Sequence, residues 1–376
     1  MKSHNKTKSI IGTICRTIIG LTFAFSGFVK ALDPLGTTYK IEDYLKAFGG
    51  IFNYLLPAAE PMAWCLILFE LCLGLCLLFN VRTSVTSWFA LAMMLVMTPI
   101  TLYLALTNPI SDCGCFGDAV VLTNWQTFWK NIVLLTLVIV LLVCKKHIHS
   151  TFVWQAELCI ALIAIVLTAS LMIYTRLHLP LIDFRPYKIG NNIPAMMEYP
   201  EGAEPDIYET TLIYEKDGVK QTFTLQDYPR GDTATAWTFV DQHTTLVKKG
   251  YEPPIHDFEI ISLDGDDLTD DVLEADDVVL LIMYDLRKAS LPNMSERLHN
   301  FAVEQEHNGT ELYVLTGSGE QDIDEFIAEY CKESALDYSM FCQTDPVTLK
   351  TIVRANPGVV VLHNGTITDK YNLRNR

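Results

Sequence analysis

The stretch 111-SDCGCFGD-118 places Cys113 and Cys115 one residue apart, between two acids and two long apolar runs. The chemistry such a pair can do is thiol–disulfide exchange. Two thiols separated by one residue close a very small ring, far from relaxed disulfide geometry. Strained bridges are more oxidising than structural ones, so this spacing suits a pair that accepts electrons better than one that staples a fold. Gly114 and Gly117 supply the backbone freedom such a turn requires. Asp112 and Asp118 act in the opposite sense, because nearby negative charge disfavours a thiolate. A bound metal needs more ligands than two cysteines, and no histidine or second cysteine pair stands at matching spacing, so none is expected. A purely structural reading, two small buried residues in a tight turn, stays open.

The elements that hold this loop are apolar. Through Pro180 the chain carries 12 Lys and Arg against 8 Asp and Glu, whereas the remainder carries 16 against 36, a net charge of −20. A mildly basic membrane half is thus followed by an acidic, water-soluble one. An acidic half of this kind repels phosphate backbones, which argues against nucleic acid as a partner. Five runs approach the roughly 20 apolar residues that cross a bilayer, approximately Ile10–Ala31, Met62–Phe79, Ser84–Leu106, Trp125–Cys144 and Phe152–Tyr174. The first run lacks a convincing small-residue cleavage site and, with Arg16 inside it, reads as a retained anchor; a cleaved signal peptide is the alternative. Lys2, Lys6, Lys8, Arg16, Arg82, Lys145 and Lys146 all fall on one side if the N-terminus is cytoplasmic. The cysteine loop and everything after the fifth span then face the other compartment. For a bacterial inner membrane that is the periplasm, where disulfides persist.

Between the first two spans, apolar Ile41, Tyr44, Leu45 and Phe48 recur at helical spacing among Glu42, Asp43 and Lys46, as in a helix lying in the interface. Arg16, Glu70 and Lys130 are charged positions inside apolar runs. Arg16 is expected to snorkel toward the head groups. An unpaired carboxylate at the depth of Glu70 costs a few kcal/mol or more, so Glu70 must be neutral, paired or beside a polar cavity, and Lys130 is its expected partner. Whether Glu70 is paired structurally or has a proton or ligand role stays open. Six cysteines (15, 65, 72, 76, 144 and 159) lie in the spans, where a thiol is a small membrane-compatible hydrophobe. A sharper reading makes Cys65, by its depth, a relay from the loop toward a lipid-soluble quinone.

The order 26-SGFVKALDP-34, 44-YLKAFG-49, 68-LFELCLGLCLL-78, 112-DCGCFGD-118 and 128-FWKN-131 resembles the DoxX/MauE group of membrane proteins over approximately residues 10–145. The resemblance implies a four-span bundle and, from the methylamine-utilisation MauE members, a part in making disulfides in exported proteins. The bundle is also similar to quinone-coupled disulfide generators of the vitamin K epoxide reductase type, although that type's Cys-x-x-Cys is missing here.

Past the fifth span the segment 208-YETTLIYEKDGVKQTFTL-225 alternates around Asp-Gly as a hairpin does. After residue 251 the pattern becomes strand (Asp277–Tyr284), helix (Met294–Glu306), strand (Glu311–Thr316), helix (Asp322–Lys332), then a strand, turn and strand in 356-NPGVVVLHNGTI-367. This order resembles the thioredoxin-like fold, particularly the envelope-tethered TlpA-like group. The resemblance puts an active-site motif in 284-YDLRKASLPNM-294, where there is no cysteine, and makes Pro357 a candidate cis-proline; ending a loop is its other reading. Without a thiolate at that helix start the domain cannot exchange dithiols. Cys331 and Cys342 are the only cysteines after the fifth span, and a structural disulfide between them is the favoured reading, with buried free thiols or a substrate dithiol as alternatives.

The expected organisation is therefore a four-helix membrane domain (1–150), a fifth transmembrane helix (151–178), a β-rich linker subdomain (179–250) and a degenerate thioredoxin-like domain (251–376). The expected function is envelope thiol–disulfide redox chemistry or maturation of exported proteins. Cys113 and Cys115 take electrons from exported protein thiols, quinone is the acceptor class the bilayer offers, and the outer domain recognises the partner. A non-enzymatic membrane scaffold with a structural loop is the alternative, and a transporter is a third, weaker one, since no repeats suggest alternating access.

Overall fold

The computed structural model describes residues 2–110, 112–200, 202–204, 207–216, 218–229, 237–248, 250–331 and 335–376. Helix α1 (Lys2–Leu32) is followed by α2 (Pro34–Phe48), α3 (Ala59–Leu78), α4 (Thr83–Thr107), α5 (Asn124–Cys144) and α6 (Trp154–Leu177). All but α2 belong to helices long and apolar enough to cross a membrane. Helix α2 starts where local chemistry dictates, with the Asp33 carboxylate accepting from the Gly36 N–H and Pro34 in the first turn. A capping box between Thr123 and Gln126 opens α5.

Cys15, Ile19, Phe23, Leu73, Leu77, Met94, Leu134, Val138 and Leu141 fill the centre of the four-helix bundle formed by α1, α3, α4 and α5. The closest approach is between α1 and α3. A methyl group on Gly74 would stand 2.3 Å from the Ala24 nitrogen, and one on Gly27 2.6 Å from the Leu71 nitrogen. Glycine at both positions lets the two backbones touch, as small residues do between membrane helices. Helix α6 flanks the bundle: 22% of its span is buried against 44% for α1. It packs Met172 against Ala31, Ile67 and Leu71. Arg16 does not snorkel. It is buried, and its guanidinium donates to the carbonyl oxygens of Leu77 and, at 2.9 Å, Leu78. Those carbonyls belong to the last turn of α3, where the Leu77 oxygen also accepts from the Asn80 N–H at 3.2 Å.

Beyond α6, the short helix α7 (Ile193–Met197) precedes a three-stranded antiparallel sheet of β1 (Ile207–Lys216), β2 (Val219–Thr224) and β3 (Thr238–Lys248), ordered β2-β1-β3. The β1–β2 pair is the expected hairpin. The rest of the chain folds as β4 (Ile261–Ser262), α8 (Thr269–Glu274), β5 (Asp277–Ile282), α9 (Met294–Asn308), β6 (Glu311–Thr316), α10 (Glu320–Tyr330), β7 (Phe341–Gln343), α11 (Pro346–Ile352), β8 (Gly358–His363) and β9 (Thr366–Asn372). The sheet order is β4-β7-β6-β5-β8-β9. Strands β5, β6 and β7 are parallel, β8 pairs antiparallel with β5, and β9 with β8. A parallel β-α-β unit with an antiparallel hairpin added beside its first strand is a thioredoxin-like arrangement. Both faces of β5 are buried, with Val278, Leu280 and Ile282 toward one core and Val279 and Leu281 toward the other. This is why its sequence is continuously apolar. The Asn356–Pro357 peptide is cis.

The expected disulfide between Cys331 and Cys342 is not formed. Both cysteines are free and buried. Side chains alternate along β7, so Phe341 joins the same core as Cys331 while Cys342 enters the core on the opposite face of the sheet. The sheet itself separates the two thiols. Lys332, the expected end of α10, lies outside the described residues.

The two halves meet through Arg354, just after α11. Its Nε is 2.8 Å from Asp33 Oδ2 at the start of α2, and Nη2 is 3.6 Å from Asp118 Oδ2 at the end of the cysteine loop. Burial pushes the Asp33 carboxyl up, but Arg354 and Arg185 outweigh it and hold it below the usual carboxylate range. Arg354→Ala removes the ion-pair partner of a largely buried carboxylate and leaves it to the more distant Arg185 and the Gly36 N–H, at a cost of up to about 3–5 kcal/mol. The variant is expected to expose the 177–186 segment to limited proteolysis. Arg354→Lys should rescue little, because one ammonium cannot reproduce a planar fork that serves two carboxylates. Wild-type protease resistance in Arg354→Ala would show that the contact is not holding the halves together.

Candidate functional site

The cysteine loop is fixed from both sides. Ser26 of α1 donates to the Cys115 carbonyl at 2.5 Å, and the Tyr44 hydroxyl of α2 donates to the Cys113 carbonyl. Gly114 has φ +61°, and a methyl group there would press on the Lys40 side chain at 3.0 Å, so the turn requires glycine. Lys40 in turn pairs with Asp112 at 2.7 Å. Helix α2 therefore lies over the loop, holding it through Lys40 and Tyr44.

The Sγ atoms of Cys113 and Cys115, both free thiols, are 2.7 Å apart. Their environments drive their acidities apart. The contact with Cys115 and burial together push Cys113 up, so it keeps its proton. Cys115, which receives that hydrogen bond, is pulled down to about 6 despite burial, with Lys130 and Lys30 adding to the shift and Glu70 opposing it. The effect expected of the flanking acids is not what the structure shows. Asp112 is paired with Lys40 and Asp118 with Arg354, and at Cys115 the contact with Cys113 leads, followed by the two lysines.

Cys115 faces into the bundle. It lines a cavity of about 40 Å³ together with Ser26, Lys30, Glu70, Lys130 and Asn131. That volume holds about three or four waters by the usual measure of about 10–15 Å³ each, not a quinone ring. The pairing expected for Glu70 is corrected here. Its partner is Lys30, at 2.6 Å, and Lys30 also donates to Ser26 Oγ at 3.1 Å. Lys130 instead sits 4.4 Å above the Phe116 ring. The sequence reading placed Lys130 by depth alone. The glycine contact between α1 and α3 brings Lys30 across to Glu70 first. Lys30 was legible within 26-SGFVKALDP-34, at the same depth as Glu70 and one turn from Ser26. Cys65 is exposed on α3 and is not among the residues lining this cavity.

In the thioredoxin-like domain the loop after β5 carries Tyr284, whose hydroxyl lies 3.4 Å from that of Tyr39 in α2. Asn356, before Pro357, donates to the Asp285 carbonyl at 2.8 Å. A second cavity of about 290 Å³ lies between the halves, bounded by α2, the backbone of Gly114 and Gly117, and Lys350 and Arg354. Among the described residues no cluster of three His, Cys, Asp or Glu side chains could hold a metal ion.

Comparison with known proteins divides the chain in the same way. Residues 8–144 match the family model described as "Methylamine utilisation protein MauE". Residues 208–249, the three-stranded sheet, match a "Domain of unknown function (DUF8463)". No curated protein matches the chain. Among solved structures, yeast Sco1 aligns at 10% identity over 31% of this chain and 81% of its own, with a TM-score of 0.24. BsSco, a member of the Sco family of cytochrome c oxidase assembly proteins, aligns at 10% identity over 32% and 82%, with a TM-score of 0.25.

Proposed function

We propose, on the premise of a MauE-type membrane domain joined to a thioredoxin-like one, that this chain is a membrane thiol–disulfide oxidoreductase acting on exported proteins. The orientation is the one its lysines and arginines favour, with the cysteine loop and the thioredoxin-like domain in the periplasm of a bacterial inner membrane. The observation that carries the reading is the asymmetric thiol pair, with Cys115 held beside Lys30, Lys130 and Glu70.

In the oxidised loop the Sγ–Sγ bond joins Cys113 and Cys115. A partner thiolate attacks Cys113, and Cys115 departs as the thiolate because the lower-pKa sulfur leaves faster. The partner's second thiol then displaces Cys113, which takes a proton. The partner gains a disulfide, and the loop is left with the Cys113 thiol and the Cys115 thiolate. Resetting the loop removes two electrons and the Cys113 proton, and an acceptor of the quinone class, which draws its second proton from water, is the sink that the membrane setting favours. Tyr284 and the residues around Pro357 present the partner without exchanging sulfur themselves. The absence of cysteine in 284-YDLRKASLPNM-294 favours the second reading, a membrane scaffold whose cysteine loop is structural.

Trapping thiols with acid and an alkylating agent in growing cells separates the two. A catalyst shows Cys113 and Cys115 in both redox states, and Cys113→Ser leaves exported partners reduced. Thiols that are always reduced, together with unchanged partner disulfides in Cys113→Ser, would falsify the redox reading.

A further inference from the structure

The interface between α4 and α5 is apolar in the centre of the bundle and polar toward the loop end. On α5, Asn124, Thr127 and Asn131 share one face at i, i+3 and i+7. On α4, Thr98 and Thr101 share another, and all five side chains are buried. Asn131 Nδ2 donates to Thr101 Oγ1 at 3.1 Å, and Asn124 Nδ2 donates to Asn108 Oδ1 at 2.9 Å, where Asn108 is exposed at the loop end of α4. Three polar atoms along this line, Thr98 Oγ1, Thr127 Oγ1 and Asn124 Oδ1, have no hydrogen-bond partner among the described residues. Leaving a buried polar atom unsatisfied costs about 1–3 kcal/mol. Buried groups of this kind are ordinarily satisfied by ordered water. The line also has a destination, because Asn131 lines the cavity that holds Cys115, Lys30, Glu70 and Lys130.

We propose that the α4–α5 seam is a hydrated proton path between the Cys115 cavity and the aqueous face at the loop end. Its cargo is water and the proton. When Cys115 ionises, its S–H bond breaks and sulfur keeps the electron pair beside Lys30 and Lys130. The proton leaves through water bound to Asn131, Thr101, Thr127 and Asn124. Re-protonation runs the same route inward, and no electron moves in the step. The role of the path rests on the redox reading above, whereas its hydration does not.

Substituted-cysteine labelling of the full-length protein in native membranes tests it. A methanethiosulfonate reagent reacts with a thiolate, which forms in water and not in hydrocarbon. A small, membrane-impermeant cationic reagent is added from the loop side and the labelled peptides are read by mass spectrometry. Thr127→Cys is compared with Val133→Cys, which is exposed on the lipid side of the same helix. The expected result is labelling at Thr127→Cys at least about tenfold faster than at Val133→Cys. Thr98→Cys, one turn from Thr101, reports independently if the first variant does not fold. Labelling at both seam positions no faster than at Val133→Cys overturns the proposal. Redox-inert Cys113 and Cys115 with a reactive seam would remove the catalytic reading alone.

Discussion

Glu70→Leu is expected to cost this protein about 3–5 kcal/mol, the usual penalty for stranding one member of a buried ion pair. Lys30 is 8% exposed and its Nζ lies 2.6 Å from Glu70. Among the described residues, its other hydrogen bond is to Ser26 Oγ. Removing the carboxylate leaves an ammonium within the bundle with the Ser26 hydroxyl as its hydrogen-bond partner and the Cys115 sulfur as its neighbour in the cavity. A lower midpoint of thermal unfolding in detergent or nanodiscs reads this directly. Lys30→Met combined with Glu70→Leu should recover most of the loss, because replacing both charges by apolar groups of similar size is commonly near neutral. A Glu70→Leu protein as stable as wild type, or a double variant worse than either single one, would show that the pair does not hold α1 to α3.

The second large effect is on the acidity of Cys115. Its thiol is depressed to about 6 first by the hydrogen bond from Cys113 and then by Lys130 and Lys30. A depressed value means that the thiolate predominates above pH 6 and is lost as the pH falls through it. The alkylation rate at Cys115 should therefore be half-maximal near pH 6 in wild type. In Cys113→Ala the midpoint should rise to the ordinary thiol range above pH 8, and Lys130→Met should raise it by a smaller step. The midpoint is a better readout than the rate at one pH, since a less acidic thiolate is also a stronger nucleophile and partly masks the change. A wild-type profile centred near pH 8.5 would end the proposed division of labour between the two sulfurs.

Much of the architecture could be read from the residues, and what could not has a physical cause. Apolar runs mark the spans because the bilayer demands length and apolarity, which sequence shows directly. The loop between α4 and α5 stood out for the same reason, as two thiols between two such runs. Rotation about a helix axis is not visible in that way. Glu70 was matched with Lys130 at the right depth, yet the partner is decided by which faces meet, and that follows from Gly27 and Gly74. The cysteine pair after the fifth span failed similarly. Cys331 and Cys342 are near in sequence, but alternation along β7 sends the second to the other face of the sheet. Arg354 gave no local signal, because its partners lie in the membrane half.

That last contact has a consequence for biogenesis. Asp33 and Arg354 are separated by 321 positions in the chain. At about 5–20 residues per second the ribosome makes the arginine roughly 16–64 s after the aspartate. Until then the N-terminal spans wait with the carboxylate at the head of α2 lacking its ion-pair partner. The contact between Arg354 and the cysteine loop forms only after the last quarter of the polypeptide has been synthesised and docked.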